Sequence, residues 1–145
     1  MTLDEKISQL QGFSKPIDRL GIKPYVWRNE ALHRVMANAD NCDSCIKKTT
    51  VFPQSIGLAS TWNPDLVYEE ATAISDEARA LANMIDNYRY LNFWNPMINI
   101  ARDPRWGRTQ EGYGEDPVLV SEISKAFIKG LQAVSYTHLT LPTKA

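Results

Sequence analysis

The chain has 145 residues, 43% of them hydrophobic and 23% charged, with a formal net charge of −1. That composition suits one globular domain and excludes a disordered chain, and so small a charge excludes a global basic field for nucleic acid or an anionic membrane. No apolar run approaches the ~20 residues a membrane-spanning helix needs, and the start, "MTLDEKISQL", has neither the basic stretch nor the apolar run of a secretion signal.

Thr2 and Glu5 form a T-x-x-E capping box, which predicts a first helix with Leu3, Ile7 and Leu10 on one face. Gly12, Pro16 and Gly21 then break the chain into turns. "IKPYVW" reads as a short strand, β-prone but with Pro24 near its start, and "RNEALHRV" as its exit. Next comes a polar stretch, "MANADNCDSCIKK", holding the only two cysteines, Cys42 and Cys45. Half a zinc ligand set is no site, His33 lacks finger-type spacing, and a redox CxxC belongs at a helix start after a strand. The reading is two ordinary thiols in a loop, with no metal and no cofactor.

"TTVFPQSIGLAS" reads as another short buried piece ended by a turn. Asn63 and Pro64 then supply a cap and a first-turn residue. Behind them Val67, Ala71, Ile74, Ala78, Leu81 and Ile85 repeat at spacings of four and three, predicting one buried stripe with Glu69, Glu70, Asp76, Glu77 and Arg79 off it. "YLNFWNPMINI" reads as a strand with Ile98 and Ile100 on one side and Asn99 on the other. Asp116-Pro117 repeats the cap-plus-proline start, and Val120, Ile123, Phe127 and Leu131 predict a second amphipathic helix. Strands alternating with helices point to an α/β fold with a parallel sheet. The last twelve residues, "VSYTHLTLPTKA", break this pattern and resemble the conceptual translation of a transposon-type sequencing adapter. The expectation is therefore a native domain over 1–133 and a non-native tail over 134–145.

Between the second strand and the second helix lies "ARDPRWGRTQEGYGEDP". In parallel α/β folds, ligands bind on the loops that leave the C-terminal ends of strands, and both this segment and "WRNEALHRV" occupy such loops. A guanidinium can grip a carboxylate or neighbouring hydroxyls with a rigid fork of donors, and an aromatic beside such groups suits a sugar. Asp103, Arg105 and Glu115 fit structural ion pairs better than ligand binding, and Asp116 is explained by its cap position.

Three stretches, "NEALHRV", "TVFPQSIGLASTWNPDLV" and "INIARDPRWGRTQEGYGEDPVLV", together resemble glycoside hydrolase family 3, nearest its xylosidase-like and glucosidase-like branches. "MTLDEKISQL" is similar to that family's first helix, so the resemblance runs from Met1 to about Gln132. It implies a (β/α)8 TIM-type barrel, and a barrel needs ~200 residues or more, so this chain is expected to be its incomplete first half, cut at both ends. It also implies a retaining exo-acting β-glycosidase working on β-linked xylo- or gluco-oligosaccharides or glycosides. Two carboxyl groups ~5 Å apart perform that chemistry. The family's nucleophile and acid/base lie beyond the matched motifs, so the resemblance implies no catalytic residue in this chain and no activity from it alone.

Two positions carry over from the resemblance. Glu30, in "NEALH", matches the acidic residue that accepts from sugar hydroxyls in subsite −1, and Arg108, in "WGRTQEG", matches the arginine at the floor of that subsite. The alternative for Glu30 is an ion pair with Arg28 or Arg34. Trp27 stands evenly between a subsite wall and core packing. The chain departs from the family's pattern at Arg34, where glycine is usual, at Arg28, where an aromatic is frequent, and over Met36 to Lys48, which is longer than usual. These departures bear on sugar preference more than on chemistry, and the compartment stays open. Two rivals remain: a non-catalytic carbohydrate-binding domain, and a self-sufficient hydrolase pairing Glu30 with Glu111.

Overall fold

The computed structural model describes residues 1–27, 29–35, 49–84 and 91–133. Arg28, both cysteines, Ile85 and the expected non-native tail lie outside the described residues.

Two helices form the body: α3, Pro64–Met84, and α4, Pro117–Leu131. Each starts as its sequence dictates. Asn63 Oδ1 accepts from the backbone N–H of Asp65 and Leu66 at 3.1 and 3.2 Å, and Asp116 Oδ1 accepts from Leu119 N–H at 2.7 Å. These caps satisfy first-turn donors that have no partner within the helix. Val67, Ala71, Ile74 and Ala78 of α3 meet Val120, Ile123 and Phe127 of α4 in one buried cluster. Contact is closest at Gly130, where an added Cβ would stand 2.5 Å from Tyr68 O and 2.6 Å from Ala71 Cβ. Ser75 Oγ donates to Leu131 O at 3.0 Å beside it. Glu70, expected off the apolar stripe, is buried on it. Position 70 is three residues from Val67 and four from Ile74, so the helix turns it inward whatever its charge.

Helix α1, Leu3–Ser8, carries the expected capping box: Glu5 N–H donates to Thr2 Oγ1 at 3.3 Å and Thr2 N–H to Glu5 Oε2 at 2.6 Å. Arg19 also bonds Glu5, and that contact followed by the Thr2 bond holds the Glu5 carboxyl down at about 2. No residue of α1 is buried. Strand β1, Phe13–Ser14, pairs antiparallel with β2, Tyr25–Val26, which is shorter than the six-residue strand expected there. "TTVFPQSIGLAS", expected as a strand-like piece, contains instead the short helix α2, Ser55–Ala59. Its buried residues Ser55, Leu58 and Ala59 follow the helical spacing of three and four.

The expected parallel sheet is the main correction. Among the described residues the only sheet is the β1–β2 pair, and residues 91–101 form no strand. Their direction nevertheless fits. Asn92 Nδ2 donates to Val26 O at 2.7 Å, Trp94 N–H to Asn29 O at 3.0 Å, and Ala31 N–H to Asn95 Oδ1 at 2.9 Å. Partner numbers rise together, so the two segments run side by side in the same sense. Asparagine side chains make most of these bonds, so a regular backbone ladder does not develop. The architecture is a helix-rich α/β unit in which this pairing carries Glu30 and the segment leading to Arg108.

Candidate sugar site

Glu30 is half-buried and held from both sides. Asn29, buried before it, donates from Nδ2 to Asn92 Oδ1 at 2.8 Å, and Ala31 after it is tied to Asn95. Two neighbours locked to the adjacent segment leave the Glu30 backbone little freedom, although its side chain is not sealed away.

The charged segment folds back on its own strand-like lead. Ala101 N–H donates to Gly114 O at 2.9 Å, and a Cβ at buried Gly112 would come within 3.3 Å of Asn99 O. Gly114 has φ +122, a backbone conformation open to glycine and strained for side chains. Within this frame the charges sort into local pairs. Asp103 accepts from Arg105 N–H and Nε at 2.9 and 3.0 Å through Oδ1 and from Nη2 at 2.6 Å through Oδ2, the structural role expected for both. Arg108 donates from Nε to both Glu111 oxygens at 3.0 Å and from Nη2 to Oε2 at 2.6 Å, across a 3-10 turn, Thr109–Glu111. Exposed pairs of this kind contribute little to stability and act mainly by fixing direction.

The electrostatics link the two loops. The Arg108 guanidinium is held above its usual range chiefly by its bond to Glu111, against desolvation, with the charges of Glu111 and then Glu30 adding to the rise. Glu30, 78 positions away in the chain (108 − 30), makes the smallest of these contributions. The Glu111 carboxyl is held below its usual range by the same bond to Arg108. Both Glu111 oxygens are engaged by Arg108, whereas the rival pairing of Glu30 with Glu111 would need that carboxylate directed at the sugar.

Trp27, at the end of β2, is half exposed; its Nε1 donates to Ser14 Oγ at 3.0 Å and its ring stands edge-on to Tyr25 at 4.6 Å. These contacts anchor it on the β1–β2 side. Sequence reasoning did not separate Arg102 from the other arginines of its loop. Among the described residues no carboxylate pairs with it, and with Asn99, Ile100, Asp103 and Trp106 it lines a cleft of about 280 Å³. The signal was present in the spacing: Arg108 stands three residues before Glu111, a separation that favours a local partner, whereas Arg102 has no acidic residue three or four positions away.

A family model described as the glycosyl hydrolase family 3 N terminal domain matches residues 22–140. Probable beta-D-xylosidase 6 of Arabidopsis thaliana is 43% identical over 134 residues, which cover 91% of this chain and 17% of the plant protein. Xylan 1,4-beta-xylosidase of Xylanibacter ruminicola is 43% identical over 140 residues, covering 91% of this chain and 15% of the other. Among solved structures, a GH3 exo-beta-xylosidase (XlnD) in complex with a xylobiose aziridine activity-based probe matches with a TM-score of 0.77 and 31% identity, over 91% of this chain and 17% of that one. Beta-glucosidase 3B from Thermotoga neapolitana, in complex with alpha-D-glucose, matches with a TM-score of 0.69 and 31% identity, over 91% and 20%. The chain thus spans less than a fifth of the length of the curated relatives it matches.

Proposed function

Because the chain belongs to glycoside hydrolase family 3, we propose that it forms part of the sugar subsite of a retaining, exo-acting β-glycosidase. Its substrates are β-linked xylo-oligosaccharides first and gluco-oligosaccharides second, an order supported by the xylosidases among its relatives. Glu30 accepts from two hydroxyls of the terminal sugar, Arg108 donates to hydroxyls from the floor of the same pocket, and Trp27 offers an apolar wall. The nucleophile and the acid/base come from chain beyond these motifs, so residues 1–133 orient the sugar and leave bond cleavage to those groups. The N-terminal half of a (β/α)8 barrel is the frame in which Glu30 and Arg108 meet.

One observation carries this reading: the segment that bears Glu30 and the segment that leads to Arg108 are bonded side by side, through Trp94 N–H to Asn29 O at 3.0 Å and Ala31 N–H to Asn95 Oδ1 at 2.9 Å. A carboxylate and a guanidinium brought to one pocket would be complementary to a ring rimmed with hydroxyls, since one accepts and the other donates. The test is made in the full-length enzyme with an aryl β-xyloside. A hydrogen bond from a charged group contributes about 1.5–3 kcal/mol, so Glu30→Ala or Arg108→Ala lowers kcat/KM by roughly tenfold or more while the melting temperature stays close to that of the parent. Near-normal kinetics in both variants would remove the assignment.

A further inference from the structure

We infer that Asn95 is a positioning residue: its side-chain oxygen holds the peptide that follows Glu30, and so sets the direction in which that residue leaves the backbone. This rests on the subsite reading of Glu30 above, but it concerns the backbone of Glu30 and asks nothing of Arg108.

A side chain's direction is set by the two peptide planes that flank its Cα, because each plane is rigid and only φ and ψ turn between them. For Glu30 both planes are bonded to the neighbouring segment. Asn29 O, in the plane before it, accepts from Trp94 N–H at 3.0 Å, and Ala31 N–H, in the plane after it, donates to Asn95 Oδ1 at 2.9 Å. The first bond comes from backbone, which any residue but proline supplies at position 94. The second comes from a side chain, and it exists only while position 95 carries an acceptor of that reach. Between regular strands a backbone carbonyl would fill this place.

Stability alone does not account for an asparagine here. Ala31 N–H can only donate, so the oxygen end of the Asn95 amide faces it and the Nδ2 end turns away. Among the described residues Nδ2 has no hydrogen-bond partner, although it is sealed from solvent. A buried donor left unbonded is destabilising. Asn95 also borders a cavity of about 350 Å³, together with Phe93, Pro96 and Leu131, so packing does not enclose it on every side. Ala31 is fully buried, so its N–H has no water to turn to if Asn95 is lost. In Asn95→Ala one unbonded donor therefore replaces another: Nδ2 goes and Ala31 N–H is orphaned. The stability terms largely cancel, and what is lost is the fixed orientation of the plane beside Glu30.

The experiment uses the full-length enzyme and an aryl β-xyloside, with kcat, KM and melting temperature measured for Asn95→Ala, Glu30→Ala and the double variant. Asn95→Ala is expected to lower kcat/KM by about fivefold while the melting temperature stays within about 2 °C of the parent. Its loss is expected to divide between kcat and KM as the loss in Glu30→Ala does, since one residue acts through the other. Adding Asn95→Ala to Glu30→Ala is expected to change kcat/KM by less than about twofold. Losses that multiply in the double variant, or a different division between kcat and KM, would overturn the inference. If Glu30→Ala is impaired while Asn95→Ala is near normal, the positioning role fails and the subsite reading survives. If Glu30→Ala is itself near normal, both fail. Should Asn95→Ala not fold, Asn95→Ser, whose hydroxyl stands one bond short of the carboxamide oxygen, takes its place in the same cycle.

Discussion

At the scale of single residues, Glu70 is the charge with most at stake in the core. It is 8% exposed, and its Oε1 has no hydrogen-bond partner. Burial pushes its carboxyl up to about 7, and burial first, then the charge of Glu70, raises the phenol of Tyr113, whose hydroxyl also lacks a partner. The protonated form is the one the core favours. With the folded value above the ordinary 4.5, the stabilisation is fully present below about 4.5 and is lost as pH rises through about 7. At about 1.4 kcal/mol per pH unit, the effect is on the order of 3 kcal/mol. The melting temperature is therefore expected to fall between about pH 5 and about pH 8, and Glu70→Gln to flatten that slope; an unchanged slope in the variant would contradict the account. The burial of Glu70 was not legible, because the charge argued for solvent while the helical period argued for the core, and tertiary cover decided between them. Asp116 and the Asp103–Arg105 pair were legible because their partners lie two or three residues away.

At the scale of elements, α3 and α4 could be read from cap, proline and apolar spacing, all of which are local. Their closest approach could not. Gly130 shows no pattern of its own, yet a Cβ there meets the backbone of Tyr68 at 2.5 Å and of Thr72 at 3.1 Å. Gly130→Ala must push α4 off α3, and overpacking of this kind costs about 1–3 kcal/mol, enough to lower the melting temperature by several degrees. An alanine variant as stable as the parent would mean that the helices part at no cost. The short elements escaped for a different reason. β1 has two residues, too few to show alternation, and exists only through its pairing with β2. In α2 one turn of apolar residues reads equally well as a strand or a helix.

At the scale of the whole molecule, the parallel course of residues 26–31 and 92–95 agreed with the alternation of elements, and the missing ladder did not. Asn29, Asn92 and Asn95 insert side-chain bonds between the two segments, a substitution that hydrophobic period cannot report. The same asparagines steady the backbone beside Glu30, so the feature that hid the sheet register also frames the site. That Glu30 and Arg108 share one pocket is expected only from family resemblance; nothing in the spacing of 78 residues contains it (108 − 30). The central claim is that these two side chains serve one sugar. Crystals of the full-length enzyme soaked in xylose test it most directly. The account predicts hydroxyls of a single ring within about 2.7–3.2 Å of both the Glu30 carboxylate and the Arg108 guanidinium, with Arg108 still bonded to Glu111. A ring that touches only one of them, or that binds elsewhere while Arg108 closes onto Glu30, would contradict it.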